Sequence, residues 1–340
     1  MRLVEYRPEH WEALAAAAAS FGKNSALAHR PFVDYYYTTR PWSRLYLLEG
    51  ESGEIEGTLG IDEMRFEASG RELKLGFGNN FNALKPGAGG YLFLQWMKST
   101  NAGIVFGGSP HTHKITRSRH WSYTPAVPTY VLNPDYATSS DDPTWRVAGK
   151  AVLRRVRRRR LGRFANRVTA AVREEIAVRE ERDYATALIP QQSPFPFRFA
   201  PPLDYLSWRY DTRLTFVRYR LFRILRRGTP AGYVVIQDSA RRLIVSHCDG
   251  SDAETLAQGV LLALLSVGEN DAEPRAVLLT SLHEVMQAIY EAFGFCRAGV
   301  RPLAIGTLKG GLDLPANTQH FLVNLDWGDN GLRSPFLDQG

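Results

Sequence analysis

Cysteine is almost missing from this 340-residue chain: there are two, Cys248 and Cys296, and neither has a short-range partner. That excludes a disulfide scaffold and a cysteine-rich zinc site, and leaves two free thiols. Long apolar runs are missing as well. The longest are short segments such as Val260 to Leu265, far below the roughly 20 residues a membrane helix needs. Met1 to Arg7 contains no apolar stretch of signal-peptide length, so the expectation is a cytoplasmic protein, with the inner membrane face as a peripheral location. What is present is ordinary globular material, 44% hydrophobic and 23% charged, and the length suits two domains of common size.

The net charge of +7 is unevenly spread. Lys150 and seven arginines (Arg154, Arg155, Arg157, Arg158, Arg159, Arg160 and Arg163) crowd into one stretch. Few turn signals interrupt residues 141–190, and their loose apolar spacing predicts an Arg-rich helical linker. On either side the chain alternates between strand and helix signals. In residues 1–140, strand-like Ile55 to Phe66 and Glu72 to Phe81 flank a turn at Ala68-Ser69-Gly70. A helix follows over Gly89 to Lys98, then a buried-type strand at Gly103 to Phe106. Ser109-Pro110 opens another helix, with serine as cap and proline at the first helical position. Residues 191–340 repeat the theme with strands at Gly232 to Gln237 and Leu243 to Cys248, a helix over Glu254 to Val267, a strand at Ala276 to Leu279, and an amphipathic helix stopped by Gly294. The repeated order of elements reads as an internal duplication.

Two short motifs then matter. Ala288-Ile289-Tyr290-Glu291-Ala292-Phe293-Gly294-Phe295 ends a helix with tyrosine, glycine and a returning aromatic. Lys85-Pro86-Gly87-Ala88-Gly89-Gly90 is a glycine-rich turn between a strand and a helix. Backbone N–H groups at such a turn, with the helix N-terminus behind them, favour a phosphate. Both motifs resemble hallmarks of the GNAT superfamily, the acyl-coenzyme A-dependent N-acyltransferases. The layout resembles the tandem type found in bacterial polysaccharide and cell-envelope gene sets, including the segment Leu203 to Tyr210 that opens the second lobe. It resembles more remotely the aminoacyl transferases of peptidoglycan cross-bridges. The resemblance implies an α/β (α+β) chain of two tandem GNAT-like lobes, each a mixed, mostly antiparallel sheet flanked by helices. The lobes would span 1–140 and 191–340, joined by the Arg-rich linker.

Further expectations follow from the resemblance. Lys85, Gly87, Ala88, Gly89 and Gly90 would hold acetyl-CoA or another acyl-CoA as co-substrate, with no metal. Tyr290 would protonate the leaving thiolate. His247 and Asp249 close the strand where bases of this family often sit. In the first lobe, Thr116 stands where the tyrosine would be, and His111 lies in the cleft region as an acid or base. Asn79, Asn80 and His113 would contact the acceptor. In the second lobe the place of the glycine turn is taken by Asp249-Gly250-Ser251-Asp252-Ala253-Glu254, whose carboxylates repel a pyrophosphate. The acceptor would be a small-molecule or lipid-linked amino sugar or another envelope precursor. The Arg cluster 154–163 offers a contact for an anionic membrane surface. Nucleic acid is not expected, since no RNA-recognition motif is present. Two alternatives stay open: a catalytically degenerate pair of lobes acting as a scaffold, and an aminoacyl transferase using charged transfer RNA.

Overall fold

The computed structural model describes residues 2–21, 25–133, 144–172, 174–190, 193–268 and 275–327. The chain divides into two compact units, each assembled from separate stretches of sequence.

The first unit opens with β1 (Arg2–Glu5), α1 (Trp11–Ala18), α2 (Arg30–Thr38) and β2 (Ser43–Glu49). Next come β3 (Ile55–Ala68), β4 (Arg71–Ala83), α3 (Ala88–Ser99), β5 (Gly103–Phe106), α4 (Pro110–Ser118) and the two-residue β6 (Ser122–Tyr123). The long β3–β4 hairpin closes through Ser69 and Gly70, both at positive φ (49° and 77°). That is the backbone a tight two-residue hairpin turn requires. Ser109 caps α4 as its sequence suggests, its Oγ accepting the Thr112 N–H at 3.1 Å. The core lies where α3 crosses the sheet: Leu92, Trp96 and Met97 of the helix meet Leu59, Ile61 and Val105 of the strands, together with Trp121.

The chain continues with β7 (Val127–Leu132), α5 (Thr144–Ala171), β8 (Ile176–Glu181), β9 (Phe197–Phe199) and α6 (Leu203–Arg209). After these come β10 (Tyr219–Arg226), β11 (Thr229–Asp238), β12 (Arg242–Gly250), α7 (Ala253–Gly268), β13 (Ala276–Thr280), α8 (Glu284–Ala292), β14 (Cys296–Arg301) and β15 (Leu303–Gly306).

The two sheets are built alike. In the first unit the order is β1-β2-β3-β4-β5-β15-β6, with β9 against β3; in the second it is β14-β7-β13-β12-β11-β10-β8. Each has an antiparallel hairpin (β3–β4, β11–β12), a short parallel pairing (β4–β5, β12–β13), and an antiparallel strand beyond it. That last strand is exchanged. β15, from the C-terminal repeat, pairs with β5 from Leu303↔Phe106 to Gly306↔Gly103. β7, from the N-terminal repeat, pairs with β13 from Val277↔Leu132 to Thr280↔Thr129. The units therefore depart from a division at 140/141 and 190/191. Residues 195–211 and 301–340 join the first unit, and 128–194 join the second.

The stretch expected to be helical throughout is helical only over Thr144–Ala171, after which Ile176–Glu181 adds an edge strand beside β10. On α5, Arg158, Arg159, Arg160 and Arg163 are exposed, whereas the side chains of Lys150, Arg154, Arg155 and Arg157 lie outside the described residues. Among the described residues no helix is long and apolar enough to cross a membrane.

Candidate functional site

The site begins with a strand pair that parts company. β4 and β5 are in register only at Gly76↔Gly103 and Phe77↔Ile104. Beyond Phe77, β4 stays paired to β3 alone, through a bulge between Thr58 and Gly60. A cavity of about 730 Å³ lies between the parted strands, with Phe77, Gly78, Phe81 and Ala83 of β4 along one side and Val105 and Phe106 of β5 on the other. α3 closes it with Phe93 and Trp96, and α4 contributes His111, Thr112 and Ile115.

The glycine turn sits at the mouth. Gly87 has φ +86°, a left-handed position ahead of the first residue of α3. Gly89 and Gly90 line the cavity in the first helical turn, where N–H groups have no intrahelical partner. No acidic residue lies in that turn, so the positive end of the helix is not already neutralised by the chain.

Lys85 also lines the cavity, but it is held by two carboxylates, Glu54 at 3.0 Å and the closer Glu56. These pairings raise the Lys85 ammonium above its ordinary value, the Glu56 contact most. The bonds from Ser52 and then Lys85 hold Glu54 down at about 2. Arg301, at the end of β14, is the second cation on the wall, and its burial lowers the guanidinium from its usual value. No carboxylate is among the lining residues. The wall thus combines Lys85, Arg301 and an open helix N-terminus with an aromatic interior, the surroundings an anion on an apolar stem requires.

The residues expected from sequence divide by where the fold puts them. Lys85, Gly87, Gly89, Gly90 and His111 share this cavity; Ala88 starts α3 with its side chain buried beneath it. His113 does not line the cavity. Its Nε2 lies 2.6 Å from the Gly107 carbonyl, which can only accept, so Nε2 carries the proton. In the neutral ring Nδ1 then accepts from the Tyr123 hydroxyl at 3.0 Å. Asn79 and Asn80 are also withdrawn from the cavity. Asn80 occupies the β4 bulge at φ +44°, and both amides meet Tyr37, whose hydroxyl donates to Asn79 Oδ1 at 2.7 Å and accepts from Asn80 Nδ2 at 2.7 Å. Tyr36 and Ser43 donate to Asp62 in the same interior, at 2.6 and 2.5 Å.

Tyr290, His247 and Asp249 belong to the second unit and are buried there. The Tyr290 ring packs on Tyr130 and Phe295, and burial, then the neighbouring Cys248, raises its hydroxyl well above the ordinary value. His247 Nε2 is 2.9 Å from the Tyr233 hydroxyl. Asp249 Oδ1 accepts the Gly250 N–H at 2.8 Å, and Asp252 Oδ1 accepts the Thr255 N–H at 2.7 Å in the first turn of α7. The helix end that would meet a phosphate in this unit is therefore already capped by the chain's own carboxylate. Among the described residues no group of three or more His, Cys, Asp or Glu is placed to hold a metal. The lining residues that sequence reasoning missed are Arg301 and the aromatic set of β4, β5 and α3. Arg301 carries no local signal, since it reaches the site only through the strand exchange.

No protein-family model matches the chain, and no curated protein matches it. Among solved structures it is similar to a GCN5-related N-acetyltransferase from Kribbella flavida, at 14% identity and TM-score 0.56 over 91% of this chain and 72% of that one. It is similar to N-myristoyltransferase from Saccharomyces cerevisiae with bound myristoyl-CoA, at 6% identity and TM-score 0.56 over 90% and 82% of the two chains. The fold is that of the GNAT-type N-acyltransferases. It is the tandem form: a tandem GNAT protein from the clavulanic acid biosynthesis pathway matches at 13% identity and TM-score 0.50 over 92% of this chain and 99% of that one.

Proposed function

We propose that the chain is an acyl-CoA-dependent N-acyltransferase whose donor site is the cavity of the first unit. One observation carries this reading. The strands part beside an uncapped helix N-terminus, in a cavity lined by Arg301 and by Lys85, which Glu54 and Glu56 hold from outside the lining. The pyrophosphate of the donor would take the N–H groups of Gly89 and Gly90. The extended arm would run along the edge of β4 that β5 leaves beyond Phe77. The acyl thioester would then lie among Phe77, Phe106 and His111. The acceptor amine attacks the thioester carbonyl, the C–N bond forms as the C–S bond breaks, His111 takes the amine proton, and the thiolate leaves. The acceptor class is an amino group of a sugar or cell-envelope precursor, as the resemblance implies. The second unit, with its helix end capped by Asp252 and its Tyr290 and His247 buried, is given a structural role.

Calorimetric titration with acetyl-CoA and a longer acyl-CoA tests the donor site. A Cβ at Gly89 meets only Ala83 Cβ, at 3.6 Å, so Gly89→Trp projects into the cavity without breaking the turn. The wild type should bind saturably and the variant should lose binding at an unchanged melting temperature. Undiminished affinity in a folded Gly89→Trp protein sinks the assignment. His111→Ala should keep donor affinity and lose about 10²–10⁴ in turnover once an acceptor is found.

A further inference from the structure

A second cavity of the first unit, about 350 Å³, opens over the other half of the β3–β4 hairpin. Its wall holds a pairing that ordinary sheets avoid. Arg65 on β3 and Lys74 on β4 are directly opposed in the antiparallel register, which puts like charges side by side on one face and destabilises the pair. Among the described residues neither side chain makes an ion pair or a hydrogen bond. The opposed pair two residues further along the hairpin, on the same face, shows how the fold deals with such a conflict elsewhere. Glu67 and Glu72 also face each other, and there Arg198 reaches over to bond Glu67 at 2.7 Å. No equivalent counter-charge is supplied to Arg65 and Lys74. Glu63, the one carboxylate on this cavity's wall, stands two residues before Arg65 on β3 and makes no ion pair with it or with Lys74 among the described residues. Arg44 is a third cation on the wall, Ser99, Thr100 and Asn101 add a polar edge, and Trp42 and Tyr205 form an aromatic corner, edge to face at 5.6 Å beside Pro201 and Pro202.

We infer that this cavity binds an organic anion, its phosphate or carboxylate taken by Arg65 and Lys74 and its planar apolar body set against Trp42 and Tyr205. An anion there removes the like-charge conflict that the chain leaves standing, and both cations are exposed so that an entering ligand can reach them. The site is separate from the donor cavity, although the neighbouring residues Gly76 and Phe77 line one each. It does not depend on the donor assignment.

The test is calorimetric titration of the full chain with phenyl phosphate and with benzoate, using inorganic phosphate as control. Saturable binding of at least one aromatic anion, tighter than inorganic phosphate, is expected. It should weaken about tenfold or more in Arg65→Gln/Lys74→Gln, as loss of charge-assisted bonds implies. Trp42→Ala should weaken the aromatic anion while leaving inorganic phosphate unchanged. The double variant should melt at or above the wild-type temperature because it loses a repulsion; Lys74→Gln alone serves should the double variant fail to fold. The inference is overturned by the absence of saturable binding, by equal affinity for inorganic phosphate, or by affinity unchanged in the charge variants. Acyl-CoA titration of the same variants, expected to match wild type, keeps this outcome apart from that of the donor site.

Discussion

Two glycines lining the proposed donor cavity, Gly87 and Gly90, do different work, and substitution separates them. Gly87 sits at φ +86° with open space where a Cβ would go. Only backbone strain opposes alanine there, and Gly87→Ala should cost about 1–2 kcal/mol. Gly90 has open space too, but lies inside α3. Gly90→Ala should therefore stabilise the protein by about 0.5–1 kcal/mol. Denaturant unfolding of both variants measures the contrast, and equal effects of one sign contradict the assigned helix start. Legibility at this scale was uneven. The turn at Lys85 to Gly90 was readable because glycine spacing is a local signal. Asn79 and Asn80 were misleading, since polar residues at a strand end look like cleft lining until the bulge turns them inward to Tyr37.

The two helices that follow the hairpins show how one element serves two purposes. α3 begins with glycines and no acid; α7 begins with Asp252 bonded to the Thr255 N–H. Removing that bond in Asp252→Ala should cost about 1 kcal/mol and leave acyl-CoA affinity untouched. A thermal melt with a parallel titration checks both, and a gain of donor affinity would show that the second unit also binds. Helix boundaries were the most legible part of the chain, because caps such as Ser109-Pro110 and the stop at Gly294 are written next to the element they end. The strand Ile176–Glu181 was not legible: its Ile-Ala-Val run is short and ends in Arg-Glu-Glu behind the Arg-rich helix, and pairing with β10 fixes its conformation.

For the molecule as a whole, acid titration has a definite sign. Asp326 is buried and paired with Arg209 at 2.9 Å, yet burial outweighs the pairing and pushes its carboxyl up to about 6. A folded-state value above the unfolded one means the folded protein holds the proton more tightly. Stability from this group is thus complete below about pH 4 and lost as pH rises through 6, by about 3 kcal/mol at most. The melting temperature of wild type relative to Asp326→Asn should fall between pH 4 and 6.5 and level off above; a difference that is flat across that range refutes it. The pairing of the sheets was the feature no sequence signal could carry. The four-residue strand Leu303–Gly306 is too short to be read from its own residues, and nothing in them names β5 as its neighbour.

That exchange also orders events in time. A ribosome releases the whole of the second unit, residues 128–194 and 212–300, before it releases Leu303–Gly306. The unit that starts first is therefore finished last, and β5 waits through most of synthesis with an open edge. Nascent chains held short of β15 should show a protease-resistant second unit beside an incomplete first one. The cavity beside α3, lined in part by Arg301, would then form only after the second unit has been made.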